Sequence, residues 1–415
     1  MYKWSETDEL IEEAVREWVR ENVRPHVAAL EAGTMKPYPI VRKLFADFGI
    51  DELGREAIEK ILTGQQRKPD ARVDNPGKRG RSGSPLAGQE SLAVILTKEL
   101  CAVSMGVFAT FAVSLGLGAA TIMSRGTPAQ RKRWVPDLVT FDKVAAWALT
   151  EPDSGSDAFG GMRTTVRRDG DDYLLNGQKT FITNGPDADV IVVYAKLDDG
   201  DTTVHRRDRK VLTFVLDRGM AGLTQAAPFE KMGMNSSPTG ELFFSDVRVS
   251  RDRLLGETEE HGGGDGRASA RAGFAIERMG VAAMALGVIE ECLRVCVDYA
   301  KNRTLWGNPI GDFQLIQLKL AKMEIARQHV RNIVFRGIEL AQAGTMPTLA
   351  EASAAKWYAS EAATEVAMEA VQLLGGNGYM REYHVEQLAR DAKSLMVYAG
   401  SNEIQITHVA KGLLG

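Results

Sequence analysis

Cysteine is scarce in this chain: Cys101, Cys292 and Cys296 are the three in 415 residues. So sparse a set cannot build a disulfide framework, and the thiols read as free in a reducing, cytoplasmic compartment. Histidine is equally thin, with six scattered residues and no paired Cys or His partner, so no metal site is expected. Neither sign of charge dominates. Lys+Arg at 51 against Asp+Glu at 55 leave a net charge of −4, which argues against a general nucleic-acid binder. A secretory leader pattern is missing too: the N-terminus is charged and amphipathic (SETDELIEEAVREWVREN), with Ser5 as a helix cap, so no signal peptide is expected. No GxGxxG occurs in a strand–turn–helix setting, and Gly262-Gly263-Gly264 lies in a linker. Residues 101–124 hold no charge at all, long enough to span a bilayer. Ser104, Gly106, Thr110, Ser114, Gly116, Gly118 and Thr121 dilute that run, and no aromatic or basic belt frames it. A buried helix is expected there, not a membrane span.

What is present suggests two or three domains, since the chain exceeds one average core. With 44% hydrophobic and 26% charged residues the composition is that of a globular protein. Residues 1–62 read as amphipathic helices. Residues 64–88 break the pattern with Gly, Pro and six Lys/Arg against two Asp; they form a loop, either a solvated insertion or a basic flap facing an anionic ligand. Helical character resumes from Glu90 to Val139. Strand-rich runs follow at Asp189–Leu197, Val211–Arg218 and Gly240–Val249, then a Gly-rich charged linker, Glu257–Arg271. Helices return at Ala272–Asn302 and Phe313–Ala343, and a third, opened by the Thr348-x-x-Glu351 capping box, ends near Leu374. Strand and helix do not alternate, which disfavours a doubly wound fold. The expected architecture is α+β: an N-terminal helical domain (1–145), a middle β-barrel or sandwich domain (146–256), a linker (257–271) and a C-terminal helical bundle (272–415).

Residues 147–185 carry the strongest local signal, WALTEPDSGSD at one end and NGQKTFITNG at the other. Clusters such as Asp153-Ser154-Gly155-Ser156 build loops whose amides and hydroxyls hold polar ligands. Thr180-Phe181-Ile182-Thr183 sets an aromatic face between hydroxyls, which suits a flat ring with a hydrogen-bonding rim. Together the two strings resemble the acyl-CoA dehydrogenase family of flavoproteins, and the resemblance extends over residues 90–415. It implies FAD, an acyl-CoA substrate, an electron-transfer flavoprotein as partner, a homotetramer, a four-helix C-terminal bundle and a place in fatty-acid β-oxidation. It assigns Trp147, Leu149, Thr150 and Ser156 to a segment along the flavin, with Ser156 where flavin and substrate meet. Phe181, Ile182 and Thr183 match the aromatic shield and the hydroxyl near N5, although Trp is commoner than Phe at the shield. Arg303 in KNRTLWG matches an arginine on the flavin diphosphate, with Leu305 and Trp306 beside it. Phe313, Gln314, Gln372, Leu373, Gly375 and Gly376 match contacts to the adenosine half, those of Arg303 and of residues 372–376 coming from a neighbouring subunit, and Ser401 and Glu403 match a last segment.

The family removes an α-proton with a carboxylate as the β-hydrogen leaves as hydride, while donors polarise the thioester oxygen. Most members place that Glu just before the Gly-Thr/Ser of the C-terminal motif; here the string is Val397-Tyr398-Ala399-Gly400-Ser401, with Ala399 in its place. A replacement stands elsewhere. Between Ala272 and Ile289 the only charged residues are Glu277 and Arg278, in an otherwise apolar helix. Desolvation raises the pKa of such a carboxyl towards that of a useful base, and adjacent residues face different ways, so Arg278 cannot simply neutralise it. Isovaleryl-CoA and long-chain acyl-CoA dehydrogenases likewise lack the late Glu and place their base at the position matching Glu277. The resemblance therefore makes Glu277 the base, with a structural ion pair as the alternative. Ser156, Phe274, Arg278, Tyr398, Ala399 and Gly400 are the candidate substrate contacts: Arg278 near the mouth, Ala399 through its N–H as oxyanion donor, and Tyr398 filling space that isovaleryl-type enzymes leave open with glycine. The small residues of 102–121 are candidates for the acyl tunnel. Two other functions remain open, a flavin monooxygenase or oxidase acting on a substrate other than a CoA ester, and a non-catalytic partner subunit.

Overall fold

A computed structural model describes residues 2–66, 90–201, 203–260 and 266–415. The basic segment read as a loop or flap lies, from residue 67 onward, outside the described residues. The first layer is helical: α1 (Glu6–Asn22), α2 (Val27–Glu31), α3 (Tyr38–Asp47), α4 (Ile50–Gln66), α5 (Glu90–Cys101), α6 (Met105–Ala112), α7 (Ala120–Arg125) and α8 (Pro128–Val139). Ser5 caps α1 as expected, its hydroxyl accepting from the Asp8 amide while Asp8 reaches back. The uncharged run is bent, with a π-helical turn over Val113–Ala119 joining α6 to α7. Length and apolarity alone would let Met105–Arg125 cross a membrane, but here it packs inside the protein. Ser114 accepts the Ala145 amide at 2.9 Å, and Thr110, Ser114 and Ile122 are buried.

The middle layer is one seven-stranded sheet in the order β1-β4-β2-β3-β7-β6, with β5 on the other edge of β4. Its strands are β1 (Ala145–Ala148), β2 (Thr165–Asp169), β3 (Asp172–Thr183), β4 (Val190–Leu197), β5 (Val211–Asp217), β6 (Leu223–Gln225) and β7 (Thr239–Val249). Both faces of β4 are covered, which is why it is apolar from Val190 to Ala195. Ile191, Val193, Ala195 and Leu197 point into one core, and Val190, Val192 and Tyr194 into the other, against α7 and α8.

The last layer begins with α9 (Gly266–Asn302), which starts inside the expected linker. A short hairpin, β8 (Thr304–Leu305) and β9 (Asn308–Pro309), leads to α10 (Gln314–Gln342), α11 (Leu349–Leu374), α12 (Val385–Ser394) and α13 (Asn402–Leu414). Thr348 and Glu351 form the expected capping box of α11. Residues 281–289 of α9 are buried throughout, mostly Ala, Val and Leu, because α5, α10 and α11 surround it. Gly287 allows α5 to approach; a Cβ there would lie 2.1 Å from the Lys98 carbonyl oxygen. Beside that contact the Lys98 ammonium lies 2.5–2.9 Å from Glu12, Glu99 and Glu290, pinning α1, α5 and α9 together.

Candidate active site

Three groups of side chains deserve separate treatment because the fold places them differently. The first lies at the end of the sheet. The loop after β1 is stitched to β3: the Thr180 amide donates to the Thr150 carbonyl (2.9 Å), and Lys179 Nζ donates to the Leu149 carbonyl (3.0 Å) and to Glu151 (2.8 Å). Glu151 also accepts the Arg163 and Thr164 amides. Both members of this ion pair are buried. Burial pushes the Lys179 amine down to about 8. It also opposes the charge on Glu151, but Lys179 and the hydrogen-bond donors outweigh it and hold the carboxyl below its usual range. The register of β3 on β7 shifts between Lys179 and Ile182, and Phe181 takes a left-handed conformation (φ 57°). Its ring is thereby turned outward, 66% exposed, and tilted 48° against Phe229. Thr150 and Thr183 are partly exposed and Ser156 is exposed.

Trp147, Leu149 and Ile182 are placed otherwise than their assignment to a ligand-facing segment suggests. The Trp147 indole donates to the Tyr194 hydroxyl at 3.1 Å, and Leu149 and Ile182 are buried core residues. Strand alternation sends these side chains inward, leaving only their backbone for a ligand.

The second group surrounds Glu277, on the first third of α9. Phe274, one turn earlier, packs against the core beneath the sheet. Glu277 keeps some accessible surface although protein surrounds it closely. It makes no side-chain hydrogen bond or ion pair among the described residues. Burial pushes its carboxyl up to about 7, with Arg278 and Lys356 only partly opposing this. Arg278 is not at a mouth. It is 3% exposed, donating to Ser353 Oγ at 3.0 Å with its guanidinium over the Phe274 ring, because one residue's rotation about α9 turns it towards α11.

Facing Glu277 is the turn after α12. Ala399 (φ 56°) and Gly400 (φ 81°) are both left-handed. Gln405 Nε2 donates to the Ala399 and Gly400 carbonyls (3.1 and 2.7 Å), and Lys356 Nζ donates to the Gly400 carbonyl (2.9 Å). A trans peptide points C=O and N–H in opposite directions. With the Ala399 and Gly400 carbonyls held by these side chains, the amides of Gly400 and Ser401 point the other way, and the Ala399, Gly400 and Ser401 amides donate to no protein acceptor among the described residues. Tyr398, whose hydroxyl lies 3.6 Å from Met284 Sδ, is raised well above the usual phenol range, by burial first and by nearby Cys101, Asp391 and Glu277 charge. A carboxyl without a hydrogen-bond partner thus lies near a turn whose three consecutive amides also have none among the described residues. Lys356, Asn402 and Gln405 escape a reading by motif. The available signal was Lys356 as the one basic residue on the small-residue stripe of α11, Ser353–Lys356–Ser360.

The third group lies at the far end of α9. Arg303, Leu305 and Trp306 sit on the β8–β9 hairpin, with Trp306 86% exposed and edge-on to Phe313. Gln314 opens α10. Gln372, Gly375 and Gly376 end α11, held there by Asn377 Nδ2 donating to the Tyr299 hydroxyl, while the Arg303 amide donates to the Tyr299 carbonyl. Leu373 is in the core. Arg303 is exposed and makes no ion pair among the described residues. From Glu277 to Arg303 runs one unbroken helix, about 39 Å at 1.5 Å per residue. These residues cannot reach the Glu277 cavity of their own chain. Ser401 and Glu403 stay beside that cavity, at the start of α13.

Comparison with known proteins decides the family. The acyl-CoA dehydrogenase N-terminal, middle and C-terminal domains match residues 86–142, 146–247 and 264–414. An acyl-CoA dehydrogenase of Bacillus subtilis (strain 168) is 37% identical over 383 residues, covering 91% of this chain and 97% of that one. The chain belongs to the acyl-CoA dehydrogenase family. It is an enzyme, an oxidoreductase of a flavoprotein family, with that family's helical, β-sheet and helical domains. The solved butyryl-CoA dehydrogenase of Megasphaera elsdenii superimposes with a TM-score of 0.80 at 31% identity, covering 100% of each chain. The family also holds enzymes named for reduction. Subunit CarC of the caffeyl-CoA reductase–Etf complex of Acetobacterium woodii is 33% identical, covering 88% of this chain and 95% of that one.

Proposed function

We propose that this enzyme dehydrogenates an acyl-CoA thioester to the trans-2-enoyl-CoA, with Glu277 as base, in the manner of relatives whose carboxylate lies on the first helix of the C-terminal domain. The observation that carries this reading is the carboxyl of Glu277, without a hydrogen-bond partner, near a turn whose Ala399, Gly400 and Ser401 amides have no acceptor among the described residues. A base poised near neutrality removes the α-proton, and amides already aimed into the cavity stabilise the negative charge that grows on the thioester oxygen. Tyr398 and Met284 form an apolar wall, narrowing the room for a branched acyl group.

FAD, when bound, takes the β-hydrogen as hydride at N5. The residues fit it in two sets. Phe181, turned outward by a strained backbone, offers a ring face, with Thr150, Ser156 and Thr183 around it. Arg303, Trp306, Phe313, Gln314, Gln372, Gly375 and Gly376 offer a cation, aromatic edges and polar groups for a diphosphate and nucleoside. About 39 Å separates the second set from Glu277, so it serves the cofactor of a neighbouring subunit. That supports a homotetramer of three-domain chains (1–145, 146–256 and 272–415, with a linker at 257–271), passing electrons to an electron-transfer flavoprotein.

Anaerobic mixing with a panel of acyl-CoAs tests the activity. Straight-chain esters should bleach the flavin, and faster than isovaleryl-CoA. No bleaching by any CoA ester, with oxygen consumed on other substrates, would overturn the reading. Assembly has its own test: dilution to the monomer should release FAD, whereas a monomer retaining its flavin would remove the shared-site argument.

A further inference from the structure

Beneath the turn that faces Glu277 lies a buried ammonium that the chemistry above leaves unused. Lys356 sits mid-way along α11 with its side chain 0% exposed. Its Nζ donates to the Gly400 carbonyl and to Asn402 Oδ1, both at 2.9 Å, and Asn402 in turn accepts from Ser360 Oγ at 3.1 Å. No carboxylate lies within ion-pair distance of it among the described residues. An unpaired buried cation is costly, and a stripe of Ala and Ser on a helix would ordinarily be completed by another small residue.

We propose that Lys356 is a positioning residue for the reaction: its ammonium fixes the Gly400 carbonyl, and with it the left-handed Ala399–Gly400 turn whose amides would meet the substrate oxygen, and its charge stabilises the ionised Glu277. This rests on the assignment of Glu277 as base. Gln405 cannot do the work alone, since its one amide group already divides between the Ala399 and Gly400 carbonyls. Nor is the turn held by preference, because Ala399 is in a left-handed conformation that an L-residue resists. Something must oppose that strain, and the two side-chain donors are what the structure supplies.

The charged groups around the pair are few. Glu277 meets Arg278 from its own helix, Lys356 from α11 and the Tyr398 phenol from the turn. Lys356 meets Arg278 and Glu277 from α9 and the exposed Glu403 from α13; His408, also on α13, faces Arg278. Burial, and then Arg278, push the Lys356 amine down to about 8, while Glu403 and Glu277 pull it back up. The carboxyl raised to about 7 and the amine lowered to about 8 therefore titrate close together, each favouring the charged form of the other.

The test compares wild type, Lys356→Met and Lys356→Gln as FAD-loaded enzymes, with anaerobic flavin reduction by the best acyl-CoA followed from pH 5.5 to 9. In wild type the rate should rise with pH through about 7, because a carboxyl raised by burial is the working base only once deprotonated. Lys356→Met removes both donor and charge. Its rate should fall by about 10²-fold, as for loss of an oxyanion-site element, and its midpoint should move up by about one pH unit because a cation near Glu277 is gone. Lys356→Gln keeps a donor without the charge, so the same upward shift should appear with a smaller loss of rate. Retained FAD and an ordinary thermal midpoint show that each variant is folded. If the folded variants keep the wild-type midpoint, Lys356 is structural only and the proposal is wrong. If instead Glu277→Gln retains its rate, the base assignment itself has failed, and the two failures are told apart.

Discussion

Glu277→Gln should fold, bind FAD and acyl-CoA, and reduce its flavin at least about 10⁴-fold more slowly than wild type. The substitution keeps the volume of the side chain and removes only its ability to accept a proton. Loss of a general base typically costs about 10²–10⁴ in rate. The upper end applies here because the charged groups acting on Glu277 among the described residues are the cations Arg278 and Lys356, and position 399 is Ala. Arg278 is a cation, the Lys356 Nζ is engaged with the Gly400 carbonyl and Asn402, and Tyr398 is held far above the phenol range, so none of them should take over. Stability should change little or rise, since a carboxyl pushed up to about 7 by burial is ionised at a cost near neutral pH.

The second large effect concerns the clamp under the flavin-facing loop. Glu151→Ala should leave the Lys179 ammonium alone in a fully buried site and free the Arg163 and Thr164 amides. Breaking a buried ion pair from one side costs about 3–5 kcal/mol, which for a chain of this size should lower the thermal midpoint by roughly 5 °C. FAD content should fall with it, because Thr150 and Ser156 ride on that loop. Removing both charges tests the cause. Glu151→Gln/Lys179→Met keeps an acceptor for the Thr164 amide and leaves no unpaired cation, so it should regain most of the midpoint. A double variant as unstable as Glu151→Ala would place the loss in the amide contacts instead.

Much of this site could be read from the chain because its signals are local. The β4 run and the capping box at Thr348 depend on neighbours within a few residues, and the structure has both. Glu277 and Arg278 stood out because charge in an apolar helix is rare, and the cavity position and raised carboxyl of Glu277 agree with that reading. Arg278 went astray because its direction is decided by how α9 packs on α11, which no spacing within α9 encodes. The inward direction of Trp147 and Ile182 escaped for a related reason: a motif marks a segment, while strand alternation decides which of its side chains face the core. The start of α9 at Gly266 was obscured by Gly and charged residues that favour a linker. Lys356 was missed because its role depends on a turn over forty residues later in the chain.

The most direct measurement is single-turnover flavin reduction by Glu277→Gln and by Glu277→Gln/Ala399→Glu, mixed anaerobically with the best acyl-CoA. If the cavity needs one carboxylate and tolerates it from either wall, the single variant should be nearly inert and the double variant should recover part of the rate, because position 399 faces the same substrate carbon. A Glu277→Gln enzyme that bleaches its flavin within a few-fold of wild type would contradict the account, leaving Glu277 a structural residue and the base still to be found.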